Sequence, residues 1–190
     1  MKKQRSAFFA AAVLAALLGL AGTDAQAFED GTRGIYFEGG RAPHGDQGAT
    51  NSASVGLTLP WSPHGVREGA LTSYWDLFAS QWHAPGIGGG SHNYTQLGAI
   101  YTWRYRFDGG RSPWFAEAGV GATLMDRLYR SPDRSFSTTF QFTEVLGVGR
   151  SFGDNGRHEL ALRVQHFSNA GIKKPNPGEN FVRLRYTYHF

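Results

Sequence analysis

Apolar and polar residues alternate one for one along most of this chain. In NFVRLRYTYHF (180–190), Val182, Leu184, Tyr186, Tyr188 and Phe190 are apolar, while Arg183, Arg185, Thr187 and His189 between them are polar. Successive side chains on a strand point to opposite faces, so this period predicts a strand with one greasy and one charged face. The pattern returns where Leu97, Ala99, Tyr101, Trp103, Tyr105 and Phe107 interleave with Gln96, Thr102, Arg104 and Arg106. It returns again in the row Trp114, Ala116, Ala118, Val120, Ala122, Leu124, and in the row Leu160, Leu162, Val164. Such runs predict about eight strands, near 32–41, 50–60, 70–84, 93–107, 112–125, 136–152, 157–169 and 179–190.

The segments between the runs are turns. FDGGRSP (107–113) and GDNGR (153–157) are tight Gly/Asp/Asn turns, whereas 84–92 and 129–135 are longer. The Gly-rich 86–90 lacks the Lys-Ser/Thr of a phosphate loop and reads as surface loop.

The first residues belong to a different class. Lys2, Lys3 and Arg5 precede an apolar stretch from Phe8 to Leu20, and Ala25-Gln26-Ala27 is a small-x-small cleavage site. Residues 1–27 are expected to be a cleaved signal peptide and 28–190 the mature chain. No later run is apolar and long enough for a spanning helix. The chain has no Cys, which excludes disulfides and thiolate chemistry. Of the net charge of +4, the first 27 residues contribute +2, and the mild remainder argues against a nucleic-acid binder.

An exported, Cys-free chain with 26 Gly, 14% aromatics and period-two strands fits an eight-stranded antiparallel transmembrane β-barrel of the outer membrane. The terminal aromatic row ending at Phe190 resembles the closing strand of such barrels. Eight strands put both termini on the periplasmic side and the loop 170–178 outside. Eight strands also leave no open channel, so Arg104, Arg106, Arg163, Arg183 and Arg185 are expected inside, paired with Glu38, Glu117 and Glu159. The remaining His residues (44, 64, 83, 92, 158, 189) are scattered, and no metal site is expected.

Candidate chemistry lies in QHFSNAGIKKPNPGENF (165–181). His166 and Ser168 continue the outward row Leu160, Leu162, Val164, so they share a face near the outer rim. A His beside a Ser is the usual base for a hydroxyl nucleophile. A polar pair in a lipid-facing row is costly without a purpose. Asn169 is a candidate oxyanion donor, and Lys173 and Lys174 are placed to meet lipid phosphates.

This segment resembles the signature of the outer-membrane lipid A deacylases, the PagL family. The resemblance is close over the last two strands and looser over the rest of the mature chain. It implies hydrolysis of the 3-position acyl ester of lipid A in the outer leaflet, with His166 and Ser168 as the catalytic pair and Asn169 as an important neighbour. The third member stays open. A family Glu stands fourteen residues after the His, where this chain has Asn180, and Glu179 is one residue earlier. Glu179 is preferred on charge and Asn180 on face parity; Glu144, which interrupts the apolar row of strand six, is the third candidate. The expected partners are lipid A or lipopolysaccharide, the outer membrane and a second copy in a homodimer, with no cofactor. Two other functions compete: a non-catalytic structural or adhesive barrel, and an outer-membrane phospholipase.

Overall fold

The structure, a computed structural model, describes residues 32–43, 48–61 and 69–190. The expected signal peptide lies outside the described residues, as do His44 and His64. The strands are β1 Gly34–Arg41, β2 Asn51–Pro60, β3 Leu71–Pro85, β4 Ser91–Arg106, β5 Trp114–Met125, β6 Phe140–Phe152, β7 His158–Ser168 and β8 Glu179–His189. Each pairs antiparallel with its chain neighbour, and β1 closes on β8 through pairs such as Phe37↔Tyr186, making a closed barrel. Closure satisfies the backbone groups that an open edge would leave bare in a bilayer.

The alternation read from the sequence is the inside–outside alternation of the wall. Arg183 and Arg185 are buried, whereas Leu184 and Tyr186 face outward. Inside, Glu38 Oε1 accepts from Arg183 Nη1 at 2.7 Å, and Glu38 Oε2 accepts from Arg163 Nη1 at 3.0 Å and Arg185 Nε at 2.9 Å. Glu117 pairs with Arg104 and Arg163, and Glu159 with Arg104 and Arg106. Asp76, which the sequence did not single out, is a further acidic centre: it meets Arg185 Nη2 at 2.8 Å and accepts from Tyr36. Charges buried this way are tolerable only because they pair with one another.

At the end bearing the loops 86–90, 126–139 and 169–178, the lumen changes character. Trp82, Tyr94, Tyr129, Phe136, Phe167 and Phe181 form an aromatic cap. Trp82 lies 4.9 Å from Phe167 and 4.6 Å from Phe181, ring centre to ring centre. The first pair is edge-on and the second tilted, and aromatic pairs at such spacings contribute about 0.5–1.5 kcal/mol each beyond burial. The cap explains why β6 starts at Phe140 rather than near 136: Phe136 turns inward onto Trp82 and Tyr129 and leaves the ladder. Two cap members sit next to candidate chemistry, Phe167 between His166 and Ser168 and Phe181 after Asn180. The opposite end carries the tight turns 107–113 and 153–157, with the start of β1 at Gly34 paired to the end of β8 at His189.

Candidate active site

On β7 the buried residues are Glu159, Ala161, Arg163, Gln165 and Phe167, so the even residues form the outer row. His166 and Ser168 therefore share the outward face, as their parity predicted. Side chains two residues apart on one face lie about 6.5–7 Å apart at Cβ, within bridging reach of an imidazole and a hydroxyl.

Across the ladder His166 is paired with Glu144 on β6 and with Asn180 on β8. All three face outward, and Glu144 and Asn180 are exposed. The His166 Nδ1 hydrogen donates to Asn180 Oδ1 at 2.7 Å. That bond places the hydrogen on Nδ1 and leaves the Nε2 lone pair to accept a proton.

Glu179 is elsewhere. It is 2% exposed and faces the cap, where Tyr129 Oη donates to its Oε2 at 2.9 Å. Tyr129 Oη also lies 2.7 Å from Thr50 Oγ1. Burial, and then the charge of Glu179, push the Tyr129 hydroxyl well above its ordinary pKa, which keeps it a donor. The preference for Glu179 on charge gives way to strand parity: β8 starts without a bulge, so an odd residue there points inward.

Asn169 is also redirected. Its side chain is buried, and its Nδ2 donates to Lys173 O at 2.9 Å and Ser137 Oγ at 3.0 Å. Its Oδ1 accepts from Gly171 N at 3.0 Å, and Asn176 Oδ1 accepts from Asn169 N at 3.0 Å. The carboxamide is thus spent on folding the turn, not aimed outward beside Ser168. Beside Ser168 stands instead the backbone N–H of Ala170, which donates to its Oγ at 3.5 Å. Ala170 has φ +52° and Gly171 φ +78°, the conformation that turns this N–H back toward the strand end. Asn169, Asn176 and Gly171 are the means by which the sequence builds that turn. The role of Asn176 was foreshadowed only by its place in the quoted motif.

Lys173 and Lys174 are exposed on the same loop. One row below the His166 level, an apolar groove of about 570 Å³ crosses the outer wall, lined by Val164, Leu146, Ala118, Ala116, Trp103 and Tyr105. Val164, Leu146, Ala118 and Trp103 are successive ladder partners, so the groove follows the hydrogen-bonding direction across β7 to β4. The depression forms where Ala116 and Ala118 present only methyl groups between strands that carry large side chains. Among the described residues, no three His, Asp or Glu side chains converge as a metal site.

A family model described as lipid A 3-O-deacylase (PagL) matches residues 49–189. The lipid A deacylase PagL of Bordetella bronchiseptica is 40% identical over 115 residues, which span 60% of this chain and 61% of that protein. The PagL of Pseudomonas aeruginosa is 31% identical over 145 residues, 73% of this chain and 80% of that one. In fold, the crystal structure of the outer membrane enzyme PagL superposes with a TM-score of 0.62 at 22% identity, covering 83% of this chain and 99% of that one. With the family model matching residues 49–189, most of this chain, and the closed eight-stranded barrel in common, the chain belongs to the PagL family of lipid A 3-O-deacylases.

Proposed function

We propose that this protein is an outer-membrane ester hydrolase that removes the 3-position acyl chain of lipid A, with Ser168 as nucleophile and His166 as base. The observation that carries the proposal is the outward row at the barrel rim: Ser168 and His166 on one face, with His166 oriented by Asn180 at 2.7 Å. An ester at the outer-leaflet boundary would meet this face from the membrane, without entering the lumen. Membership of the family, and the relatives named for this deacylation, support the same substrate.

In the proposed reaction, His166 Nε2 takes the Ser168 proton as Oγ attacks the acyl carbonyl. The oxyanion forms beside the Ala170 N–H, a fixed dipole that needs no reorganisation. The carbonyl carbon–sugar oxygen bond breaks, and the imidazolium returns its proton to the leaving sugar hydroxyl. Water, activated by the same His, then releases the fatty acid and restores Ser168. Asn180 fixes the tautomer throughout. As a neutral acceptor it stabilises imidazolium less than a carboxylate would, and the exposed Glu144 carboxylate flanks His166 on its other side.

The groove would take the departing acyl chain. A lipid tail gains little from leaving other tails for an apolar wall, so the groove contributes orientation more than affinity. Lys173 and Lys174 would meet the phosphates of lipid A, each contributing about 1 kcal/mol near an anionic surface.

Mass spectrometry of lipid A from cells expressing the wild type or Ser168→Ala tests the proposal. Loss of one 3-hydroxyacyl group with the wild type only is the expected result. Unchanged lipid A, or release of fatty acid from phospholipid alone, would reject the substrate.

A further inference from the structure

Gly178, the residue before β8, has its backbone against the ring of His166. A Cβ added there would stand 2.7 Å from His166 Cε1, 3.3 Å from Nε2 and 3.4 Å from Phe167 O. Its φ of +67° is a second reason for glycine at this position. Extending the Phe167↔Glu179 pair by one residue sets Gly178 opposite Ser168, so the ring edge it touches is the one on the Ser168 side. The ring is therefore held at two corners, Nδ1 by Asn180 and the Cε1–Nε2 edge by the Gly178 backbone.

That backbone is itself clamped. Arg134 Nη1 donates to Pro177 O at 2.7 Å and to Gly178 O at 2.9 Å. Arg134 sits in a tight turn of the 126–139 loop, where Ser131 N donates to Arg134 O at 2.7 Å and Arg134 N to Ser131 Oγ at 3.1 Å. The same loop carries Tyr129 and Phe136 into the aromatic cap. Support thus runs from the cap through Arg134 to the 177–178 backbone and on to the imidazole.

We infer that Gly178 and Arg134 are positioning residues for His166: Arg134 fixes the 177–178 backbone as a wall that keeps Nε2 on the Ser168 side. The inference rests on the assignment of His166 and Ser168 made above. It predicts that a methyl at 178, or a wall set loose at 134, slows nucleophile activation while lipid A still binds.

The test is labelling of the full-length barrel in detergent with a small fluorophosphonate, alongside lipid A kinetics. In labelling, the Ser168 Oγ–phosphorus bond forms, fluoride leaves, and His166 takes the hydroxyl proton. The probe is too small to need the groove or the lysines. Misplacing a reacting group by about 1 Å can cost about a hundredfold, so Gly178→Ala should slow labelling and kcat at least about tenfold, with KM changed less than about twofold. Arg134→Ala should slow both about three- to tenfold, and Arg134→Lys should recover most of the loss, because both bonds leave a single nitrogen that an ammonium can imitate. Arg127→Ala, in the same loop, should match the wild type. A folded Gly178→Ala or Arg134→Ala barrel that labels at the wild-type rate overturns the inference. If Gly178→Ala does not fold, the Arg134 pair decides. Absence of Ser168 labelling in the wild type would instead remove the His166–Ser168 assignment, and the inference with it.

Discussion

Asn180 Oδ1 accepts the His166 Nδ1 hydrogen at 2.7 Å from the directly opposed position on β8. A neutral amide therefore stands where a catalytic His more often has a carboxylate. It orients the ring but cannot neutralise it. Asn180→Ala should lower kcat up to about 100-fold, the cost of misplacing a reacting group by about 1 Å once the ring loses the acceptor that fixes its angle and tautomer. Asn180→Glu should keep or raise kcat. A steady-state comparison with Glu179→Ala decides: a greater kcat loss from Glu179→Ala would sink the role given to Asn180.

Ser168→Ala and His166→Ala should each remove activity by several orders of magnitude. Neither side chain supports the lumen network or the cap, so both variants should keep the gel mobility shift between heated and unheated barrel. Retention of more than about a tenth of the wild-type rate by either would remove the nucleophile–base pair.

Glu179→Ala is a stability variant. It leaves the buried Tyr129 hydroxyl without a strong acceptor, which costs about 1–3 kcal/mol. The expected readout is a lower urea midpoint of refolding with the per-molecule rate of folded protein little changed. An unchanged midpoint would contradict the assignment.

Ala118→Phe should fill the groove between Leu146 and Trp103. Lipid A turnover should fall about tenfold through lost orientation of the chain. Hydrolysis of a short-chain ester should hold near the wild-type rate. Equal loss on both substrates would show that the site itself was disturbed.

Glu38→Ala should destabilise the barrel strongly. Its carboxylate joins Arg163, Arg183 and Arg185, and breaking a buried ion pair from one side costs about 3–5 kcal/mol. The measurement is again the urea midpoint, and a shift no larger than that of a surface control would count against the lumen network.

The period of two, read with the export signal and the Cys-free, Gly- and aromatic-rich composition, pointed to the barrel. A strand has only two faces, so Arg183 against Leu184 already says which is lumen and which is membrane, and His166 and Ser168 inherit their outward direction from Leu160, Leu162 and Val164. The same parity pointed to Asn180. Chemistry favoured Glu179, but a regular β8 start turns that carboxylate into the cap. Tertiary structure decided what parity cannot express, because loops have no fixed period and their partners are distant in sequence. It spent the Asn169 amide inside its own turn, brought the Ala170 N–H to Ser168, and carried Arg134 across from another loop to the Gly178 backbone. Asp76 joined Arg163 and Arg185 only when closure brought β3 across the lumen from β7 and β8. The groove likewise needed the ladder register, which aligns Ala118 of one strand with Leu146 and Val164 of the next two.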